Sequence, residues 1–376
     1  MLLRSSAFLI AVLCLMSLLS HAQRDHESTW SFAVSGDSRN CGDVVMPAIA
    51  SNARSHDIEF YWHLGDFRAG TAPDEDMQNS GHKLTQEEYR KAAWDDFLKH
   101  QIAPFTSIPV HLVIGNHELY LHGNTAADKE LSHQAFITKF SKWIGGSKTA
   151  YYHWNQRNVD FISLDNSFDA GFDDAQMAWL EQVLKDDEAD AALKAVVVGM
   201  HRALPNSLAC GHSMNGDPYS SAEDNRKSLE SGRRAYEDLW ELQNTTHKRV
   251  YLIASHSHFY VQDLFNTEYW KNKHSLPLND GKTENVLTGV LVGTAGARRY
   301  RLPDSLPPNT LALTYAYGYV LATVHESGAI DFKFEQLVDR DVPVDVRDEY
   351  KGLLDFCFLS NRDNTVQEPV PSCGDK

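Results

Sequence analysis

The sequence has no internal repeat, no low-complexity tract and no Pro/Gly-rich linker, which excludes a repeat array and domains on a loose tether. It has no basic excess either. Its 376 residues carry a net charge of -16, which argues against a nucleic-acid backbone or an anionic membrane as main partner. A small anion in a locally positive pocket stays compatible with that balance. Beyond the N-terminus no stretch is apolar enough to span a bilayer. The first 22 residues, "MLLRSSAFLIAVLCLMSLLSHA", have one basic residue, an apolar centre and a Ser-x-Ala end. That layout predicts a secretory signal cleaved after Ala22. Its apolar core falls short of the roughly 18 residues of a membrane span. Leu13 before Cys14 argues against a lipoprotein signal. The expected location is secreted or periplasmic, with no membrane attachment once the signal is removed.

Cysteine is scarce, with five in all, and none of the spacings is that of a zinc motif. Cys14 leaves with the signal. Cys41, Cys210, Cys357 and Cys373 remain, an even number that predicts two disulfides in an exported protein. Of the three possible pairings, Cys41–Cys210 with Cys357–Cys373 is expected. The second of these would close a short C-terminal loop and stabilise by about 3 kcal/mol in the loop-entropy model.

What is present is an alternation of β-rich runs and helical patterns. "WSFAVSGD" precedes a helix near 43–54. "TQEEYRKAAWDDFLKH" is an amphipathic helix, and further helices are expected around 131–143 and 221–243. "DDAQMAWLEQVLKDD" reads as an acid-capped helix with Met177, Leu180 and Leu184 on one face. The later chain is mostly strand. This order predicts a layered α/β domain over 23–340, followed by a tail over 341–376 that looks like an appendage with its own disulfide.

Five of the strand-like runs end in residues able to bind a metal. "AVSGD" ends at Asp37, "YWHLGD" at Asp66, and "HLVIGNH" at Asn116 and His117. "VVVGMH" ends at His201, and "LIASHSH" at His256 and His258. Ligands bind outside the carboxyl ends of strands in open α/β sheets, so parallel neighbours would gather these ends on one rim. A single Gly-Asp is a turn signal, but five such endings are hard to explain as turns. Carboxylate, amide oxygen and imidazole together suit Zn, Mn, Fe or similar ions.

The pattern "GD…GDF…GNHE…GMH…SHSH" resembles the calcineurin-like metallophosphoesterase superfamily, which includes the purple acid phosphatases. The likeness covers about 30–337. It implies a four-layer sandwich, two mixed β-sheets flanked by α-helices. It implies one or two divalent or trivalent ions, with Asp66 bridging them. Asn116, His201 and His256 would complete one ion's ligands; Asp37 and His258 would belong to the other. His117 would give the leaving group its proton, with Glu118 orienting it. The implied reaction is hydrolysis of a small phosphomonoester or diester by a metal-bound hydroxide. The alternative is a degenerate member that binds metal or a phosphorylated ligand without turnover.

Three positions depart from the pattern. Arg39 stands where the family's first motif has a histidine ligand. Ala69 stands where purple acid phosphatases have a tyrosine, and Ser255 where the last motif has glycine. A guanidinium stays protonated and cannot be a ligand. Arg39 is therefore expected either to bind a phosphate oxygen or to form a salt bridge with a nearby carboxylate. Both readings predict a first metal site weaker than the second. His63 and His111 are expected to be core or face residues. Tyr120, His122, His212 and Arg202 lie in loops near the rim. Arg298, Arg299 and Arg301 read as a solvated basic turn.

Overall fold

A computed structural model describes residues 29–78, 83–119, 131–274, 286–307 and 310–363. The expected signal, Tyr120, His122 and Cys373 lie outside the described residues. Twelve strands are described: β1 (Trp30–Ser35), β2 (Tyr61–His63), β3 (Val110–Leu112), β4 (Tyr152–Gln156), β5 (Val159–Ser163), β6 (Ala195–Met200), β7 (Arg249–Ala254), β8 (Tyr260–Gln262), β9 (Thr288–Val292), β10 (Ala312–Leu313), β11 (Tyr317–Val324) and β12 (Ile330–Leu337). They form two mixed sheets, ordered β12-β11-β1-β2-β3 and β10-β8-β9-β7-β6-β5-β4. In the first sheet β1, β2 and β3 run parallel. In the second β5, β6, β7 and β9 do.

The central parallel strands of the second sheet, β6, β7 and β9, are near-continuous apolar runs, as strands covered from two sides must be. Phe32, Val34, Phe60 and Trp62 of the first sheet pack on Phe161, Val197, Ile253 and Val290 of the second. At the centre of this contact the Trp62 indole lies against Gly199, which has no side chain to obstruct it. The outer face of the second sheet is covered by helix Asp174–Ala189 and helix Ala222–Thr246. Asp173 caps the former, and Met177, Leu180 and Leu184 are buried as the periodicity predicts. The outer face of the first sheet is covered by helix Gly42–Arg54. The result is the expected four-layer α/β sandwich.

The stretch after 341 departs from expectation. Val342, Tyr350 and Cys357 are buried against Val44, Val45 and Ile49 of helix Gly42–Arg54, so this part of the tail belongs to the core. Cys41 is bonded to Cys357 across 316 residues, which overturns the expected Cys41–Cys210 and Cys357–Cys373 pairings. Cys210 is also disulfide-bonded. Arg299 binds the segment of Cys357. Far from being a solvated basic turn, it is buried and donates to the carbonyls of Asn361 and Cys357, at 3.1 and 3.0 Å. Its guanidinium also lies over the Tyr317 ring. This holds the 357–361 segment beside Cys41. Among the described residues no helix is long and apolar enough to cross a membrane.

Candidate metal centre

All five candidate strand ends meet at one rim, formed jointly by the parallel halves of both sheets. Asp37 follows β1, Asp66 follows β2 and Asn116 follows β3, while His201 follows β6 and His256 follows β7. The backbone is strained where the ligand candidates turn into the site. Asp37, Asp66 and His256 have φ of 62°, 59° and 68°. Such left-handed non-glycine residues are uncommon and cluster at functional sites. Two turns touch backbone to backbone, and a Cβ on Gly115 would lie 2.4 Å from the Asp66 nitrogen. Only glycine permits that approach.

Glu118 secures the same turn. Its carboxylate accepts from the amides of Gly115, Asp66 and Phe67, each at 2.8 Å. Its hydrogen bonds therefore go to the backbone under Asp66, whereas the expectation had it orienting the His117 ring. His117 is held by other means. Its Nδ1 donates to the Ala69 carbonyl, and Nε2 faces Arg39. Burial, then the charge of Arg39, pushes the His117 pKa down to about 4.

Two groups of donor atoms result, sharing Asp66. In the second site His201 Nε2 lies 3.0 Å from Asn116 Oδ1 and 3.2 Å from Asp66 Oδ1. His256 Nδ1 lies 3.1 Å from both Asn116 Oδ1 and His201 Nε2. A carbonyl can only accept, so the Leu64 oxygen, 2.8 Å from His201 Nδ1, fixes the proton there. His201 therefore turns Nε2 toward two acceptor oxygens. Ser255, where the pattern has glycine, supports this ring at 3.1 Å and donates to Leu64 O at 2.7 Å. Imidazole nitrogens, a carboxylate oxygen and an amide oxygen that converge at 3.0–3.2 Å suit a cation. Burial works against charge on His201, yet Asp66 lifts its pKa to about 9, so without an ion Nε2 takes up a proton in the place a cation would have. The neighbouring His256, buried beside His201 and Arg202, is pushed well below its usual value. A ligating histidine whose other nitrogen donates to a carbonyl is the usual arrangement in metal sites. The residues present thus fit one ion.

The first site is built alike but filled differently. His258 donates from Nδ1 to the Arg298 carbonyl at 2.6 Å, so its Nε2 presents a lone pair. That atom lies 3.2 Å from Asp37 Oδ1, a buried oxygen with no hydrogen-bond partner. Asp37 Oδ2 accepts from the His256 amide at 2.7 Å. Between these groups sits the Arg39 guanidinium. Nη2 is 2.9 Å from His258 Nε2, Nη1 contacts His117 Nε2, and Nε is 3.7 Å from Asp66 Oδ2. Its side chain is 11% exposed. Burial opposes the charge, but Asp66, Tyr300 and Asp37 outweigh it and hold the guanidinium protonated.

Of the two readings of Arg39, the geometry shows the ion pair, with Asp66. Tyr300 was not foreseen; its ring stacks on His258 at 4.0 Å. No motif marks it, because it stands in the run of arginines that drew attention first. Arg202 pairs with Asp169 at 3.2 Å, and His212 contacts Ser257 Oγ at 2.9 Å. His63 is buried against Ser38 Oγ, and His111 stacks on Trp154, as core and face residues do.

No family model and no curated protein matches this sequence. Solved structures do. A purple acid phosphatase from yellow lupin (Lupinus luteus) seeds superposes with a TM-score of 0.55 and 18% identity, over 83% of this chain and 52% of that one. The chain thus spans about half the length of the lupin enzyme. A phosphatase from Mycoplasma pneumoniae gives a TM-score of 0.37 and 9% identity, over 83% of this chain and 94% of that one. By sheet order, layering and the lupin match, this chain has the fold of the purple acid phosphatases, that of the calcineurin-like metallophosphoesterases.

Proposed function

We propose that this protein is a metal-dependent phosphoesterase acting on small phosphate esters outside the cytoplasm. The observation that carries the reading is the convergence of Asp66, Asn116, His201 and His256 on one point, with His201 turned by Leu64 so that its Nε2 faces inward. An ion of the Mn, Fe or Zn kind held there supplies Lewis acidity at phosphorus and a nucleophilic water at neutral pH.

The chain's own residues do the rest. Arg39 fixes a positive charge beside Asp66, on the side where a phosphate oxygen would need one. His117 has Nδ1 committed to Ala69, so any proton it passes to a leaving group travels through Nε2. Glu118 keeps Asp66 in register with Asn116 by holding the turn beneath it. The Cys41–Cys357 disulfide suits an oxidising compartment. A second reading, metal binding without turnover, draws on Arg39, because its contact with His117 Nε2 occupies the proton-transfer atom.

The test is chelator-stripped protein reloaded with Mn, Fe, Zn or Co and assayed on p-nitrophenyl phosphate from acid to alkaline pH. Metal-dependent hydrolysis is expected. Asn116→Ala and His201→Ala should each reduce it by more than the roughly 10–100-fold that loss of a supporting residue costs. Metal uptake with no hydrolysis at any pH leaves the second reading. Full activity in either variant refutes the site.

A further inference from the structure

We propose that the Arg39 guanidinium takes the place of the first metal ion, so that the centre holds one ion and one fixed organic cation. The inference rests on the reading of the second site given above.

Three observations carry it. The first is occupancy. The donor atoms of Asp37, Asp66 and His258 lie within 4.8 Å of one another, close enough to hold an ion. An ion ligated by His258 Nε2 would sit about 2.0–2.1 Å from that nitrogen. Arg39 Nη2 stands 2.9 Å from the same lone pair, so guanidinium and ion cannot both be there.

The second is the direction of every hydrogen bond. Nη1 and Nη2 donate to two imidazole nitrogens, His117 Nε2 and His258 Nε2. Each ring is turned to present a lone pair because its other nitrogen donates to a carbonyl, Ala69 O and Arg298 O respectively. The Leu64 carbonyl orients the His201 ring of the second site in the same way, and there Nε2 faces the oxygens of Asn116 and Asp66.

The third is charge. Asp37 and Asp66 are both buried, and His258 is held with its proton on the far nitrogen. The local demand is for positive charge, and Arg39 brings it in every protonation state reached near neutral pH. Unlike an ion, it does not dissociate. The centre should therefore keep one of its two cations after exhaustive chelation.

The consequence is a countable stoichiometry. Protein reloaded with excess Mn(II) and desalted should hold one ion per chain by inductively coupled plasma mass spectrometry. Its Mn(II) should give the paramagnetic resonance signal of an isolated ion. Arg39→Lys should also hold one. Arg39→His, which exchanges the cation for a neutral donor, should hold two, with an exchange-coupled signal because Asp66 joins them. Arg39→Ala opens the same space without adding bulk and serves if the histidine variant does not fold; it should also take up a second ion, more weakly. Two ions in the unmodified protein would overturn the inference and leave the proposed function standing. One ion in both Arg39→His and Arg39→Ala would do the same. No ion in the unmodified protein would remove the second site, and this inference with it.

Discussion

Replacing Gly199 by alanine tests whether the contact between the sheets sets the geometry of the metal centre. The new Cβ would lie 2.3 Å from two carbons of the Trp62 indole, both on its six-membered ring. Carbon atoms sit comfortably at about 3.5–4.0 Å, so indole and strand must separate by roughly 1 Å. Neither can move freely. Trp62 is fully buried in β2, and Gly199 is paired on both sides, to Ser163 of β5 and Ile253 of β7. Overpacking of this kind costs about 1–3 kcal/mol. It also reaches the site: Gly199 is two residues before His201, and Trp62 is four before Asp66. The two strands carry ligand candidates whose atoms are 3.2 Å apart, so a shift of roughly 1 Å matters there.

A double-mutant cycle with Trp62→Phe isolates the contact. The phenylalanine ring lacks the carbons that the alanine meets, so Gly199→Ala should cost little once Trp62 is gone. Coupling of about 1–3 kcal/mol is expected by urea denaturation, and metal affinity should fall in Gly199→Ala and recover in the double variant. Additive stabilities would refute the packing argument. Lost stability with unchanged metal affinity would refute the link from packing to site.

Exchanging Cys41 and Cys357 together for serine removes a link across 316 residues, worth roughly 5 kcal/mol in the loop-entropy model. Tm should fall on the order of 10 °C, and an unchanged Tm would mean that Arg299 alone holds the segment. Burial, then the nearby Asp160 charge, lifts the Asp187 pKa to about 7. Between the ordinary carboxylate range and that value the folded state holds a proton the unfolded state lacks, so stability declines as pH rises through this window. Asp187→Asn should therefore gain stability over the unmodified protein as pH goes from 4 to 8; a constant difference in urea midpoints would contradict it.

The metal-centre candidates were legible because each stands at the end of an apolar run, and strand ends on one rim follow from chain topology. The two-sheet layering followed from the family resemblance, and helix faces such as Met177, Leu180 and Leu184 from periodicity. What escaped was choice of partner at long range. The cysteine pairing goes with the burial of Arg299, a residue that looks solvated until the 357–361 segment is placed over it. Glu118 looked like the orienter of its neighbour, but its carboxylate reaches back 51 and 52 residues to the Phe67 and Asp66 amides.

Arg39 combines both lessons. Its departure from the motif was visible; its partners, 78 and 219 residues away, were not. The lone pairs it meets are oriented by the Ala69 and Arg298 carbonyls, which belong to the backbone and not to the side chain at 39. A site whose acceptors are aimed by backbone takes either an ion or a guanidinium without rebuilding. If the inference holds, one substitution in the loop after β1 is enough to change the number of metals in the centre while the fold and the second site keep their positions.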